Sequence, residues 1–320
     1  MRAAAIDGYG GSERLAVREL PDPQPPAPGQ VLVRVRAASV NPIDWKLRKG
    51  SLRLVMPVRF PFVPGHDLAG EVAAVGPEVT RFEPGDLVFG AVDPRRDGGA
   101  CAELALVRES ALAAKPGHLS FEEAAALPLA GLTALQALRD KGELTAGESV
   151  LVNGGAGGVG HFAVQIARAF GARVTAVAGA GNQALLRELG AHRTLDYEEE
   201  DFTGLDETWD IVFDAVGLGS FRDVTYVLSP EGGIYVTTRV RPDLAAWTLF
   251  TTLGGLVGYR KRARSILVKH SADDLEVLAH LSAQGKLRVV LDEVFSLEEI
   301  GKAHDASERG HARGKIVVRV

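Results

Sequence analysis

The chain has 320 residues, 46% hydrophobic and 24% charged, ordinary values for a globular protein with room for two cores. Its 36 Lys and Arg against 41 Asp and Glu leave a net charge of −5, which argues against nucleic acid or an anionic membrane as the main partner. The single cysteine, Cys101, excludes an intrachain disulfide framework and a Cys-rich zinc site, and no apolar run approaches the roughly 18 residues of a membrane span.

Residues 1–119 read as β-rich. Residues 31–36 (VLVRVR) alternate apolar and basic, the pattern of a half-buried strand, and 70–75, 87–92 and 101–107 are further short strands. Turn clusters at 21–26, 64–65, 84–86 and 97–99 separate them, which predicts a barrel-like or open-sandwich β domain. At Ser120 the composition changes: Ser120 with Glu123 fits a capping box, and helices rich in Ala and Leu follow to about Lys141.

An apolar strand at 149–153 then runs into Gly154-Gly155-Ala156-Gly157-Gly158-Val159-Gly160 and a helix over 161–170. Gly155, Gly157 and Gly160 match G-x-G-x-x-G, with the first glycine expected to make the tight turn, the second to admit a pyrophosphate and the third to bring the helix close to the sheet. Val159, Phe162, Ala163, Ile166, Ala167 and Phe170 form one apolar helix face, and the N-terminus of that helix would offer N–H groups to phosphates. The motif lacks the Lys-Ser/Thr ending of a P-loop, so a dinucleotide site is the better reading than nucleotide hydrolysis. Strands at 174–177, 211–215 and 234–238 alternate with helical segments, the rhythm of a doubly wound parallel sheet and an α/β fold. A helix from Ser271 to about Gln284, a strand-like stretch at 289–291, a helix at 297–308 and a terminal strand at 315–320 complete the chain. A strand so late is expected to return to the first domain, dividing the chain into 1–119, 120–265 and 266–320.

Several motifs occur in a telling order: Asn41-Pro42-Ile43-Asp44-Trp45-Lys46, Pro64-Gly65-His66-Asp67, Gly85-Asp86-Leu87-Val88-Phe89-Gly90 and Gly131-Leu132-Thr133-Ala134 precede the glycine turn, and Leu189-Gly190-Ala191, Asp196-Tyr197 and Gly314-Lys315 follow it. Across nearly its whole length the sequence resembles the zinc-independent quinone oxidoreductase branch of the medium-chain dehydrogenase/reductases, and residues 233–237 and 309–315 resemble its reticulon-interacting NADPH oxidoreductase subgroup. The resemblance implies a GroES-like domain completed by the C-terminal segment, a Rossmann domain, an active site in the cleft between them, and frequent dimers. It also implies no zinc: Asn41 stands where zinc-dependent relatives carry a catalytic Cys, and the four structural Cys are missing. His66 with Asp67 is too small a set to close a metal site, so His66 reads as a turn or cleft residue.

By the same resemblance, Asn41 and Thr133 line the nicotinamide end, and Gly155, Ala156, Gly157, Gly158, Val159 and Gly160 hold the pyrophosphate. Val216, Gly217 and Thr238 lie at the carboxyl edge of the sheet, and Gly179, Asn182 and Tyr197 on the adenosine side. About 20 residues past the first glycine an NAD binder places an acid, and this chain reads Ala178-Gly179-Ala180-Gly181-Asn182, which favours NADPH over NADH. Arg187, Arg193, or His311 with Arg313, could meet a 2′-phosphate. Asn41, Asp44 and Lys46 are the catalytic candidates, Asp44 orienting Lys46 or a water that protonates the reduced substrate. Trp45, Trp247, Phe250 and Tyr259 could wall a pocket for a flat acceptor or belong to cores.

The leading expectation is therefore NADPH-dependent hydride transfer to a quinone or α,β-unsaturated carbonyl. An enoyl-thioester reductase and an NADPH-binding regulatory protein with little turnover are the alternatives. The partners expected are a small molecule and a second copy of the chain, with residues 234–236 near a sheet edge as the dimer contact. An N-terminus charged too soon for a signal peptide points to the cytoplasm.

Overall fold

The strand Gln30–Val40 is the spine of one of two compact units in the computed structural model, which describes residues 1–217, 219–239, 242–254 and 258–320. That unit comprises Met1–Leu132, His270–Ala283 and Val289–Val320. Val31, Val33 and Val35 point into its core while Arg34 and Arg36 face water, the alternation read from VLVRVR. The strand pairs antiparallel with three others: Asp67–Val75, Leu104–Arg108 and the terminal Lys315–Arg319. The sheet runs Leu291–Ser296, Lys315–Arg319, Gln30–Val40, Asp67–Val75, Leu87–Ala91, Leu112–Ala114, with Leu104–Arg108 branching from the spine.

Two details differ from the sequence reading. The strand expected at 289–291 lies later, at Leu291–Ser296, parallel to the terminal strand. The helix Pro42–Lys49, which carries Asp44 and Lys46, is entered through Asn41 and closed by Gly50 in the left-handed region at φ 76°. The Ser120 capping box is present, Ser120 Oγ accepting from Glu123 N and Glu123 accepting from Ser120 N, ahead of the helix Phe121–Ala126.

The second unit comprises Thr133–Lys269 and Gln284–Arg288. Its six strands, all parallel, are ordered Arg193–Asp196, Arg173–Ala178, Ser149–Asn153, Ile211–Asp214, Ile234–Thr237, Arg262–Ser265. This is the doubly wound Rossmann order, with its switch point between Ser149–Asn153 and Ile211–Asp214. Ile234–Thr237 is an inner strand lying next to the edge strand Arg262–Ser265; the outer strands of the sheet are Arg193–Asp196 and Arg262–Ser265. Periodicity could not separate the two, because a fully apolar strand reads the same wherever it is covered on both faces.

The helix Gly160–Ala169 is buried on every side through Ala167, not on one face alone. Gln165 explains the second covering: its amide bonds the main chain of Arg288 in both directions, at 2.9 and 2.7 Å. Trp247 and Tyr259 pack on the core cluster that holds Trp209 and Phe221, and Trp45 belongs to the other unit. In the basic run at 260–264, Arg262 and Arg264 both pair with Glu143, and Lys261 donates to Thr225 O. Val240, Arg241 and 255–257 lie outside the described residues.

Close strand approach in the first unit depends on Gly70, where a Cβ would meet Arg34 O at 2.1 Å. Gly70 pairs with Val35 beside a register shift in the spine, so the neighbour is backbone and has little freedom to move. We expect Gly70→Ala to destabilise the chain by about 1–3 kcal/mol, read as a fall in Tm by calorimetry.

Candidate functional site

The glycine turn sits at the carboxyl end of the first strand of the parallel sheet, where such folds place a dinucleotide. The tight turn out of the strand is made by Gly154, at φ 78°, one residue before the glycine to which the motif assigned it. Gly155 has a packing task instead, since a Cβ there would press on Leu186 and Ala176 at 3.0 and 3.1 Å. Gly160 brings the helix against the turn, a Cβ at that position falling 2.0 Å from Gly154 O. Gly157 is different. A Cβ there would meet only Gly154 O, at 3.4 Å, so its outer face is open.

Among the described residues the backbone N–H groups of Ala156, Gly158, Val159 and Gly160 have no acceptor, while those of Gly154 and Gly155 are used up on Val177 O. Unpaired N–H groups at the head of a ten-residue helix, beside an open glycine face, fit the pyrophosphate of a dinucleotide.

Asp214 organises the neighbouring loop. It ends the strand Ile211–Asp214, is 2% exposed, and was missed in the sequence; a lone acid closing an apolar strand was the available signal. Its Oδ1 accepts from Asn153 Nδ2 at 3.0 Å, Val216 N at 3.2 Å and Gly217 N at 2.8 Å, and its Oδ2 from Tyr235 Oη at 2.9 Å and Gly219 N at 3.3 Å. These bonds fix Val216 and Gly217, the latter at φ 73°, beside the glycine turn: a Cβ on Gly154 would lie 2.4 Å from Val216 Cγ2. Thr238 Oγ1 donates to Ala215 O at 3.2 Å and joins the same edge.

Farther along that edge, Gly179 follows the strand Arg173–Ala178, and Asn182 closes a turn by donating to Gly179 O at 2.9 Å. Tyr197 is 58% exposed, with its hydroxyl 3.1 Å from where a Cβ on Gly179 would stand, so the glycine makes room for the ring. Arg193 opens its parallel strand, at the end opposite the carboxyl edge, and is paired with Glu207 and Glu200, which corrects its candidacy for a 2′-phosphate. His311 and Arg313 are exposed residues of the other unit, between the helix Ile300–Arg309 and the terminal strand. Thr133 is half-buried on the helix Pro128–Gln136.

The first unit buries a polar cluster around Asn41. Asp67 Oδ2 accepts from Ser39 Oγ at 2.6 Å and Asn41 Nδ2 at 2.8 Å, with Lys315 Nζ at 3.5 Å, and its Oδ1 accepts from Leu129 N at 2.8 Å. Lys315 Nζ also donates to Asn41 Oδ1 at 2.5 Å, so both ends of the Asn41 amide are held. Burial lowers the Lys315 pKa, against the opposing pull of Asp67 and Asp44.

Asp44 is fully buried. Its Oδ2 accepts from Asn41 N at 2.7 Å, and its Oδ1 from His66 Nδ1 at 2.6 Å and Gly65 N at 3.2 Å. Burial works to raise its pKa, yet His66, His304 and the Asn41 N–H together hold it below the usual carboxylate value. Lys46 lies with its Nζ 5.4 Å from the Trp45 ring centroid. Lys315 was visible only as a member of the Gly314-Lys315 motif, and His66 as a turn or cleft residue in Pro64-Gly65-His66-Asp67. Among the described residues no group of three or more His, Cys, Asp and Glu is placed to hold a metal ion.

The "Alcohol dehydrogenase GroES-like domain" family matches residues 27–136, and the "Zinc-binding dehydrogenase" family matches residues 189–318. The quinone-oxidoreductase QR1, chloroplastic, of Triphysaria versicolor is 36% identical over 99% of this chain and 98% of its own. The NAD(P)H oxidoreductase RTN4IP1, mitochondrial, of Homo sapiens is 33% identical over 100% of this chain and 89% of its own. The solved quinone oxidoreductase from Coxiella burnetii superposes with a TM-score of 0.86 at 35% identity, covering 100% of this chain and 99% of that one.

Gly157 and Gly160 separate ligand contact from packing. Gly157→Ala is expected to leave Tm unchanged and weaken dinucleotide binding about tenfold or more in a fluorescence titration. Gly160→Ala is expected to lower Tm, because its Cβ meets backbone. Equal affinity of Gly157→Ala and the unaltered chain would take the ligand away from this turn.

The fold, the glycine turn and the full-length relatives agree: the chain belongs to the medium-chain dehydrogenase/reductase superfamily, alongside its quinone oxidoreductases, and is an NAD(P)H-dependent oxidoreductase.

Proposed function

We propose that this enzyme transfers a hydride from NADPH to a quinone or an α,β-unsaturated carbonyl without a metal. The observation that carries the cofactor half is the set of unpaired N–H groups of Ala156, Gly158, Val159 and Gly160 beside the open face of Gly157. In this reading the glycine turn holds the pyrophosphate, Val216, Gly217 and Thr238 the nicotinamide side, and Gly179, Asn182 and Tyr197 the adenosine side. Asn41 and Thr133 complete the nicotinamide end, and the bound cofactor supplies the hydride.

The acceptor class is supported by relatives named as quinone oxidoreductases and by a 2-methylene-furan-3-one reductase of Solanum lycopersicum, 37% identical over 90% of this chain and 71% of its own. Chemistry without zinc fits the donor set. Asn41 is an amide with both ends engaged, and burial pushes the Cys101 thiol pKa up, away from the thiolate a metal would need. The preference for NADPH rests on Gly179, where the strand ends without an acid to meet the ribose 2′-hydroxyl.

A homodimer is part of the proposal. Leu249, Phe250 and Leu253 are more than half exposed on the helix Pro242–Gly254, which packs beside the edge strand Arg262–Ser265, and a second copy would cover them. The buried thiol of Cys101 suits a reducing compartment, and the cytoplasm is the location in this reading; no described helix is long and apolar enough to cross a membrane.

NADPH and NADH oxidation measured anaerobically with a panel of quinones and enones tests the reading. The expected outcome is turnover on one of these classes with the larger kcat/KM for NADPH. Tight cofactor binding with no turnover on any acceptor would instead favour a binding protein. Sedimentation velocity is expected to give twice the monomer mass, and Phe250→Asp to shift it toward monomer.

A further inference from the structure

Reduction of a quinone by a hydride leaves a hydroquinone monoanion, and one proton completes the product. The cofactor-binding roles proposed above do not include a group that delivers it. In the buried cluster of the first unit, however, the Asp44–His66 contact has the geometry of an oriented acid. The carboxylate of Asp44 can only accept, so at 2.6 Å the proton between them belongs to His66 Nδ1. Gly65 N and Asn41 N hold the same carboxylate from its other sides, so its direction is set before any ligand arrives. The main chain that carries the imidazole is held as well. Gly65 precedes it at φ 102°, with Cys101 behind, and His66 O accepts from Val92 N at 2.7 Å.

The other nitrogen is free. His66 Nε2 has no partner among the described residues, and it is not one of the side-chain atoms sealed from solvent without a bond. The side chain retains 8% exposure, against 0% for Asp44. A ring pinned through Nδ1 and open at Nε2 is arranged to give a proton outward.

We propose that His66 is the proton donor of the reaction and that Asp44 is its positioning residue. The proposal rests on the quinone reading above and names the acid within it. In the step, the quinone receives two electrons as hydride, the Nε2–H bond breaks, and its proton forms the O–H bond of the hydroquinone. His66 is left neutral and regains a proton from solvent; no further reductant or oxidant enters.

Burial alone would lower the His66 pKa, but the charge and hydrogen bond of Asp44, with Asp67 and Asp93 adding to them, hold it above the ordinary histidine value. His270 also faces this region and is itself depressed by burial, and Asp93 is paired with Arg95. On the far side of Asp44, His304 is buried and pushed down to about 4, so it stays neutral, and Arg48 carries the nearest positive charge there. Lys315 approaches through Asp67 and not through His66. With the pKa raised, the charged form of His66 persists to higher pH than an ordinary histidine's, and activity is lost as pH rises through the raised value.

The test compares two quinones of similar size, one electron-rich (2,6-dimethyl-benzoquinone) and one electron-poor (2,6-dichloro-benzoquinone), whose hydroquinone anions differ in basicity. His66→Gln is expected to lower kcat about 10²-fold on the electron-rich quinone and no more than about threefold on the electron-poor one, because general-acid help scales with the basicity of the group protonated. NADPH affinity by fluorescence is expected to stay unchanged, and the alkaline limb of kcat/KM to disappear. Asp44→Asn is expected to shift that limb to lower pH. An equal loss on both quinones with the limb intact overturns the proposal, since a structural role does not distinguish acceptors.

If His66→Gln does not fold, the wild-type enzyme decides. The proposal requires an alkaline limb with the electron-rich quinone and a His66 Cε1–H resonance that titrates above the ordinary value of about 6.5. Absence of either overturns it. Wild-type enzyme that reduces no quinone with either cofactor removes the quinone reading itself, a result distinct from retained kcat in His66→Gln.

Discussion

A carboxylate taken out of water must be met by donors on every side, and this constraint shapes both units of the protein. Asp67 starts a strand and gathers Ser39, Asn41, Lys315 and the N–H of Leu129. Asp214 ends a strand and gathers Asn153, Tyr235 and the N–H groups of Val216, Gly217 and Gly219. In each case the acid recruits segments remote in sequence, and removing it would strand several buried donors at once. Lys315 lies 274 residues from the amide it holds, so the last strand of the chain is tied to the first helix entry by a polar contact as well as by its ladder.

The glycine turn follows a complementary rule, in which absent atoms matter more than present ones. Gly154 supplies the backbone angle, Gly155 and Gly160 supply closeness, and Gly157 leaves a face open. The motif spacing was legible from the sequence, but the division of labour among its glycines was not. Five glycines in seven residues offer more than one register for the same tasks, and only the φ angles and contacts of the folded chain choose among them.

Much of the fold was readable because it rests on short-range signals. The Ser120 capping box, the alternation of residues 31–36 and the strand–glycine–helix order all appear in the structure. The candidate cluster was legible in part. Asn41 and Asp44 do meet in one buried network, while Lys46 lies against Trp45, and the partners that give the network its chemistry, His66, Asp67 and Lys315, arrive from separate strands and turns.

The sequence by itself determined the α/β class, the dinucleotide turn and the superfamily, because periodicity, capping and ordered motifs are written in neighbouring residues. Tertiary structure alone decided that Ile234–Thr237 is an inner strand, that the helix after the turn is covered all round, and that Asp44 faces His66. Those outcomes depend on which distant segment lies alongside, and an apolar strand or a buried acid carries no local mark of its neighbour. Chain topology and the requirement to satisfy buried polar groups supply that information only once the whole chain has packed.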